Sequence, residues 1–153
     1  MPDRIRLAKV NAYGEDPVVV ESPAPPYSGA GLLLRMRCAA LNFADLLKAR
    51  GEYQEREEPP FIPGLEGAGE VLETVPGSGF ARGDRVAVRH PGTMVQVIEV
   101  PQGSCLKIPD RMSFEQAAGF QIAYGTSHLA LTLRAVCGPE RPLPFLARRA
   151  ASG

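Results

Sequence analysis

The feature that most constrains the fold is a run of small residues around one carboxylate near the middle of the chain. Residues 63–71 read Pro-Gly-Leu-Glu-Gly-Ala-Gly-Glu-Val. Glycine lacks a Cβ, so the backbone here can come close to another backbone or to a ligand. An apolar, strand-like segment, 71–75, follows. A carboxylate in such a setting is either a buried, paired anchor or part of a site, and we interpret the run as a glycine-lined cleft that carries Glu66.

Proline and glycine punctuate the whole chain. The 153 residues include 15 prolines and 16 glycines, which is typical of many short strands joined by tight turns. The chain is long enough for one domain, and 44% apolar residues can fill its core. We therefore predict a mainly β fold. The predicted strands cover residues 5–10, 18–21, 32–38, 71–75, 86–88, 94–100 and 105–108.

The third predicted strand has the clearest pattern. Leu32, Leu34, Met36 and Cys38 alternate with more polar neighbours that include two arginines. Successive side chains of a strand point to opposite faces, so this alternation predicts one buried and one solvated face. On the buried face Cys38 is most simply a small core residue.

Three helices are predicted by their end signals and spacing. Asn42 is a good N-cap for a helix over 42–50, Asp45 falls at its third position, and Gly51 is its stop. Capping alone explains both polar side chains as well as a role in a site does. Residues 113–116 have the spacing of a capping box and open a second helix. A third begins at residue 121, with an apolar stripe that core packing commonly explains.

Several classes of function are excluded by composition and motifs. Seventeen basic and seventeen acidic residues cancel, which favours neither nucleic acid nor an anionic membrane as partner. Three scattered cysteines fit a reduced, cytoplasmic chain, and we expect neither a signal peptide nor a membrane span. The two histidines, His90 and His128, have no cysteine at zinc-ligand spacing. From the residues alone, the chain is a β-rich domain without a self-sufficient catalytic set.

Four segments together carry a resemblance to a known superfamily. They are Leu41-Asn42-Phe43-Ala44-Asp45-Leu46, residues 63–71, Gly83-Asp84-Arg85-Val86 and the run Ala-Tyr-Gly-Thr-Ser-His-Leu-Ala-Leu at 123–131. Their order and spacing resemble the medium-chain dehydrogenase/reductase superfamily, in particular its zinc-free NADPH:quinone oxidoreductase branch, the zeta-crystallin type. The resemblance covers residues 5 to about 135. It implies a GroES-like, partly open β-barrel with short helices, and it ends where that family's Rossmann coenzyme domain would begin.

The resemblance also implies roles for individual residues. Hydride passes directly from NADPH to a quinone or enone in related enzymes, while the protein positions the two partners and excludes water. Asn42 resembles the polar group beside the nicotinamide and the substrate. Tyr53 resembles a loop tyrosine that lines the substrate pocket and donates a hydrogen bond or a proton. Thr126 matches a threonine that contacts the nicotinamide end of the coenzyme.

The same resemblance implies that zinc is absent. The zinc-dependent branch has a cysteine where Asn42 lies, a histidine where Leu65 lies, and a lobe of four cysteines. Both catalytic ligands are replaced here, so we expect no metal. Glu66 and Asp45 are the same as in the family, and we expect them to have structural roles in pairing and capping.

Two functions stay open at this point. The first is a quinone or enone reductase represented by its catalytic domain and inactive alone, because the glycine-rich coenzyme loop is missing. The alternative is a stand-alone GroES-like binding or assembly module without redox activity. A titration with NADPH discriminates between them. Neither the substrate nor the oligomeric state follows from the sequence.

The last segment breaks every pattern. We assign residues 1–135 to the GroES-like domain and the start of a linking helix, and 136–153 to an aberrant, disordered tail. Codons can be chosen for Val136–Glu140 that read Arg-Leu-Arg-Pro-Gly one nucleotide earlier, which is a turn expected in the family. The same shift turns residues 145–153 into a string containing Leu-Gly-Ala-Pro-Gly-Gly-Val-Gly, shaped like a phosphate-binding loop. We therefore hypothesise a frameshift near codon 136.

Overall fold

A computed structural model describes residues 3–134 of the chain. Its strands are β1 (Arg4–Lys9), β2 (Val18–Pro23), β3 (Leu32–Ala40), β4 (Glu66–Glu73), β5 (Arg85–Arg89), β6 (Val97–Val100) and β7 (Cys105–Lys107). Its α-helices are α1 (Phe43–Arg50), α2 (Phe114–Ala118) and α3 (Gln121–Leu129), with a 3-10 turn at Gln102–Ser104 and a π-helical turn at Ala130–Arg134. The predicted mainly β fold is confirmed.

The strands form two antiparallel sheets that the segment before β6 connects. The larger sheet has the order β6-β3-β4-β5-β7, and β1 pairs with β2 alone. Between them, the Ala8 N–H donates to the Met94 carbonyl (2.9 Å) and the Gln96 N–H donates to that of Arg6 (3.0 Å). The Gln96 carbonyl in turn accepts from the Met36 N–H (2.9 Å). The sheets curve towards a barrel without closing into one.

The core occupies both faces of the five-stranded sheet. One cluster includes Leu34, Val71 and Val88, and a second gathers Ile5 and Leu33 with two valines of the 95–97 segment. A third consists of alanines of β4, β5 and α2. Leu33 has no exposed surface, although the alternation of β3 predicts a solvated position for it. The prediction is therefore right for the far half of β3 and wrong for its start, because β1 and the 95–97 segment cover the second face there.

The glycine run is part of a central strand. β4 begins at Glu66, five residues before the predicted segment at 71–75, because glycine admits a very close neighbour. A Cβ on Gly67 would lie 2.7 Å from the Cys38 carbonyl oxygen, and one on Gly69 would collide with that of Arg35. Gly67 and Gly69 thus let β3 and β4 approach each other, and the interpretation of the run as a glycine-lined cleft is wrong for these two positions.

The starts of α1 and α2 and the end of α1 lie where the capping residues predict them. Gly51 ends α1 in the left-handed conformation at φ 73°, which glycine adopts without strain. In α2, Ser113 and Gln116 form the predicted capping box, through N–H···O contacts of 3.0 and 3.2 Å. None of the side chains of α3 is buried, so core packing does not account for its apolar stripe within the described residues.

Within the described residues, 3–121 form one compact unit and 122–134 belong to a second. The proposed boundary at 135/136 and the tail 136–153 lie outside the described residues. Within residues 3–134, no helix combines the length and the apolar character needed to cross a bilayer.

Candidate active site

The candidate site is built where the start of α1 meets the start of β4. Asn42 precedes the first residue of α1 in an extended conformation, φ −108° and ψ 158°, as an N-cap does. Its side-chain amide nitrogen donates to Oε1 of Glu66 over 3.1 Å. This hydrogen bond fixes the half-exposed Asn42 amide to the five-stranded sheet. The amide is thereby held in one orientation at the N-terminus of α1.

Asp45 is buried directly behind Asn42. Its Oδ2 accepts from the backbone N–H of Asn42 (2.8 Å), and its Oδ1 accepts from that of Gly64 (3.1 Å). With 3% of its surface exposed, this carboxylate joins the helix start to the segment that leads into β4. The predicted capping role of Asp45 is confirmed, and its second hydrogen bond extends the role across the site.

Glu66 is the more deeply buried of the two carboxylates in the network. It has 1% of its surface exposed and sits at the first position of β4. Its backbone carbonyl accepts from the hydroxyl of Thr93 (3.0 Å), which is completely buried. The sequence analysis gave Thr93 no role, because a single threonine in a turn-rich stretch carries no distinguishing pattern.

Gly64 is the position where the site requires glycine. Its φ of 104° lies in a region that other residues rarely adopt. A Cβ there would collide with the hydroxyl of Thr93 and would lie 2.9 Å from the backbone nitrogen of Met94. The glycine therefore lets the chain fold tightly over Thr93 while its N–H reaches Asp45.

Burial sets the electrostatics of the network. Desolvation raises the pKa of Asp45 above its ordinary value of 3.8, and the nearby charge of Glu66 adds to this. Hydrogen bonds from the N–H groups of Asn42 and Gly64 and the charge of Lys48 act in the opposite direction without cancelling the rise. Two carboxyl groups thus share a buried region, in which the pKa of Asp45 is higher than its ordinary value.

Exposed apolar side chains flank Asn42 in the sequence. Leu41 and Phe43, its two neighbours in sequence, are 67% and 73% exposed, and Leu46 on the next turn of α1 is 44% exposed. Large exposed apolar side chains next to a fixed polar group are typical of a surface that receives an apolar ring or a partner domain. The site can therefore orient a flat, apolar molecule that accepts or donates one hydrogen bond.

Tyr53 lies in the loop after α1 and is half-buried. The ammonium of Lys48 lies 5.9 Å from the centre of its ring. The same ammonium pairs with Glu57 over 3.5 Å, and the Tyr13 hydroxyl donates to the Glu57 carbonyl (3.0 Å). These contacts tie the loop to α1, while none of the described hydrogen bonds joins Tyr53 to Asn42.

Thr126 lies on α3, in the second unit, and its side chain is exposed. His128 lies on the same helix and accepts at its backbone carbonyl from the hydroxyl of Thr132 (2.6 Å). The Ser127 hydroxyl donates to the carbonyl of Ala123 (2.8 Å), which is ordinary back-bonding within a helix. The predicted role of Thr126 towards a coenzyme stays a prediction.

The two cysteines among the described residues, Cys38 and Cys105, are unsuited to nucleophilic chemistry. Burial raises the pKa of Cys105 to about 12, and it also raises that of Cys38, with the Glu115 carboxylate adding to the rise. Within residues 3–134, no three His, Cys, Asp or Glu side chains gather in an arrangement that could hold a metal ion. Whether the protein contains zinc stays a prediction.

Comparison with known proteins decides the family. Residues 29–110, more than half of the chain, match the alcohol dehydrogenase GroES-like domain. The chain belongs to this family. It is 35% identical to the quinone oxidoreductase-like protein 2 homolog of Nematostella vectensis, over 97% of this chain and 42% of the relative. It is also 40% identical to the human synaptic vesicle membrane protein VAT-1 homolog, over 77% of this chain and 31% of the relative.

A solved structure agrees with these relatives. The quinone oxidoreductase of Thermus thermophilus, known also in complex with NADPH, superimposes with a TM-score of 0.76 at 33% identity. The match covers 88% of this chain and 42% of the Thermus chain. The predicted resemblance to quinone oxidoreductases of the medium-chain dehydrogenase/reductase superfamily is thus confirmed. The chain spans well under half the length of these relatives.

Proposed function

We propose that this chain is the substrate-binding, catalytic part of a zinc-free reductase that transfers hydride from NADPH to a quinone or an enone. The observation that carries the proposal is the hydrogen bond between the Asn42 amide and Glu66, 3.1 Å long. It fixes a neutral amide at the position where zinc-dependent members have a cysteine. A fixed amide can orient a carbonyl group but supplies no soft metal ligand.

The chain's own residues then have positioning roles. Asn42 orients the substrate oxygen and the nicotinamide, and Tyr53 donates a hydrogen bond or proton to the oxygen that gains charge. Glu66 and Asp45 hold Asn42 in place from behind. NADPH, when bound, supplies the hydride. Leu41 and Phe43 pack against the ring of the substrate and exclude water from it, which helps to hold the two reactants in place.

We propose further that the chain alone shows no NADPH-dependent turnover. Asn42 and Thr126 would contact the nicotinamide end only. No glycine-rich loop for the pyrophosphate occurs in the sequence. The remaining contacts would have to come from the part of the relatives that this chain does not span.

A fusion protein tests the proposal. Residues 1–134 are joined to the remaining part of the Thermus thermophilus quinone oxidoreductase, and NADPH oxidation is followed with a benzoquinone as acceptor. We expect turnover by the fusion and none by the 153-residue chain. Asn42→Ala should lower kcat/KM by about tenfold or more through lost orientation. Asn11→Ala, at an exposed turn, is the matched control and should leave kcat/KM unchanged.

The alternative function predicts a different pattern. A stand-alone binding module gives a well-folded fusion that binds NADPH through the Thermus part but does not reduce the quinone. Equal kcat/KM for Asn42→Ala and the parent fusion would also contradict the proposal.

A further inference from the structure

A recess that includes Thr93 in its lining, but neither Asn42 nor Asp45, lies on the sheet surface. It has a volume of about 440 Å³ and lies where β1, the 93–96 segment and the far half of β3 diverge. β6 pairs with β3 from Leu32 to Arg35, and the Met36 N–H donates to the Gln96 carbonyl (2.9 Å). Past Met36, none of the described strands pairs with β3 on this side. The gap in the curved sheet leaves the recess open to solvent.

The charge of the recess is one-sided. Arg6 and Arg37 both contribute to its lining, and no aspartate or glutamate does. The whole chain has a formal net charge of zero, so a cavity with two guanidinium groups and no carboxylate is a local excess. Arg6 is exposed and forms no ion pair with any carboxylate among residues 3–134.

Arg37 keeps hydrogen-bonding capacity in spite of its ion pair. Its Nη2 contacts both carboxylate oxygens of Glu70, at 3.2 and 3.1 Å. The Arg37 side chain is 46% exposed, and exposed pairs of this kind are weak. A guanidinium has five N–H donors, so Arg37 can give others to a second oxyanion.

The rest of the lining is apolar or neutral. Met36, Met94 and Val95 contribute aliphatic surface, and Gln96 contributes a neutral amide. The side-chain oxygen of Gln96 already accepts a hydrogen bond from the backbone N–H of Arg6 (2.8 Å). This bond fixes the backbone of β1 against the 93–96 segment. The recess therefore combines a cationic part with an apolar, flexible part.

We propose that this recess binds a small amphipathic anion, with a carboxylate or phosphate head group held by Arg6 and Arg37. A short aliphatic stem lies against Met36 and Met94. Planar guanidinium groups match the geometry of both kinds of head group, and the volume lies within the range of small-molecule sites. The ligand neighbours the carboxylate network through Thr93, whose hydroxyl binds the Glu66 carbonyl.

The test uses the full 153-residue chain with octanoate and octyl phosphate as probes and 1-octanol as the neutral probe. Calorimetry measures affinity, and backbone amide NMR locates the contact. We expect at least one of the two anions to bind and to shift residues 6–8, 36–39 and 93–96, while octanol binds more weakly. Arg6→Gln should weaken anion binding about tenfold through loss of a charge-assisted contact.

Two further variants separate the recess from general electrostatics. Arg111→Gln removes the same charge from an exposed position outside the recess and should leave the affinity unchanged. Glu70→Gln removes the carboxylate that competes for Arg37 and should tighten binding. The proposal is overturned if neither anion binds, if octanol binds as tightly as the anions, or if Arg111→Gln weakens binding as much as Arg6→Gln.

Discussion

At the scale of single residues, the account depends on two buried carboxyl groups with different hydrogen-bond partners. Glu66 accepts from a side chain, the Asn42 amide, while Asp45 accepts from two backbone N–H groups. A buried carboxylate costs desolvation energy, which its hydrogen bonds must offset. Removing either group therefore leaves donors unpaired in a dry region.

Glu66→Gln tests the structural role of this residue. The substitution keeps the shape but replaces a charged acceptor with a neutral amide facing the Asn42 amide. We expect the free energy of unfolding to fall by about 1–3 kcal/mol, measured by urea denaturation. Glu73→Gln is the matched control, because the Glu73 side chain is 48% exposed and pairs with exposed Arg82. An unchanged midpoint for Glu66→Gln would show that the residue is no anchor.

Asp45 gives the pH dependence a defined sign. Since desolvation raises its pKa above 3.8, the folded protein holds this proton more tightly than the unfolded chain does. The contribution of the Asp45 proton to the free energy of unfolding is complete below pH 3.8, and it is lost as the pH rises through the folded-state pKa. The stability of the parent chain minus that of Asp45→Asn should therefore decrease between about pH 3 and pH 7. Urea denaturation of both proteins at several pH values measures this difference. A difference that increases with pH would contradict a raised pKa of Asp45.

At the scale of elements, a carboxylate on β6 organises the entry into β3. Glu99 accepts from the N–H groups of Ser28 (2.8 Å), Ala30 (3.0 Å) and Gly31 (3.1 Å), and from the Ser28 hydroxyl (2.8 Å). Partial burial raises the pKa of Glu99, but these hydrogen bonds outweigh that effect and lower it overall. A loop of small residues is thus held by a single side chain.

Glu99→Gln should weaken this arrangement. We expect a loss of about 1–3 kcal/mol in the free energy of unfolding at neutral pH, because one amide oxygen replaces two charged ones. A lowered pKa means that the contribution is present above the ordinary value of 4.5 and is lost as the pH falls through the folded-state value. The difference in the free energy of unfolding between the parent chain and Glu99→Gln should become smaller as the pH is lowered. A difference that becomes larger at lower pH would contradict this role of Glu99.

The elements that the sequence predicts well are those with local signals. The caps of α1 and α2 depend on residues within four positions, so Asn42, Gly51 and Ser113 identify the helix ends. Leu33 and Thr93 depend on distant segments, namely β1 and the start of β4, which no local pattern encodes. The same reason explains the missed start of β4. Glycine is disfavoured in isolated strands, and only the close approach of β3 makes Gly67 and Gly69 necessary.

At the scale of the whole molecule, the chain is a GroES-like domain with a site that faces outward. Asn42 and Glu66 were both identified from the sequence, and the structure joins them by a hydrogen bond. Tyr53 and Thr126 were identified through the resemblance alone, and their roles await the fusion protein. The carboxylate network, the exposed apolar side chains and the relatives are the observations behind our proposal that this chain orients a substrate without a metal.

The zinc content of an active fusion protein shows whether the site works without a metal. The active fusion of residues 1–134 with the Thermus thermophilus part is purified, and its zinc content is determined by elemental analysis. Quinone reduction is measured before and after treatment with a chelator. Since an amide and a leucine replace the soft ligands, we predict far less than one zinc per chain and undiminished turnover after chelation. About one zinc per chain, with turnover lost on chelation and restored by zinc, would contradict the account.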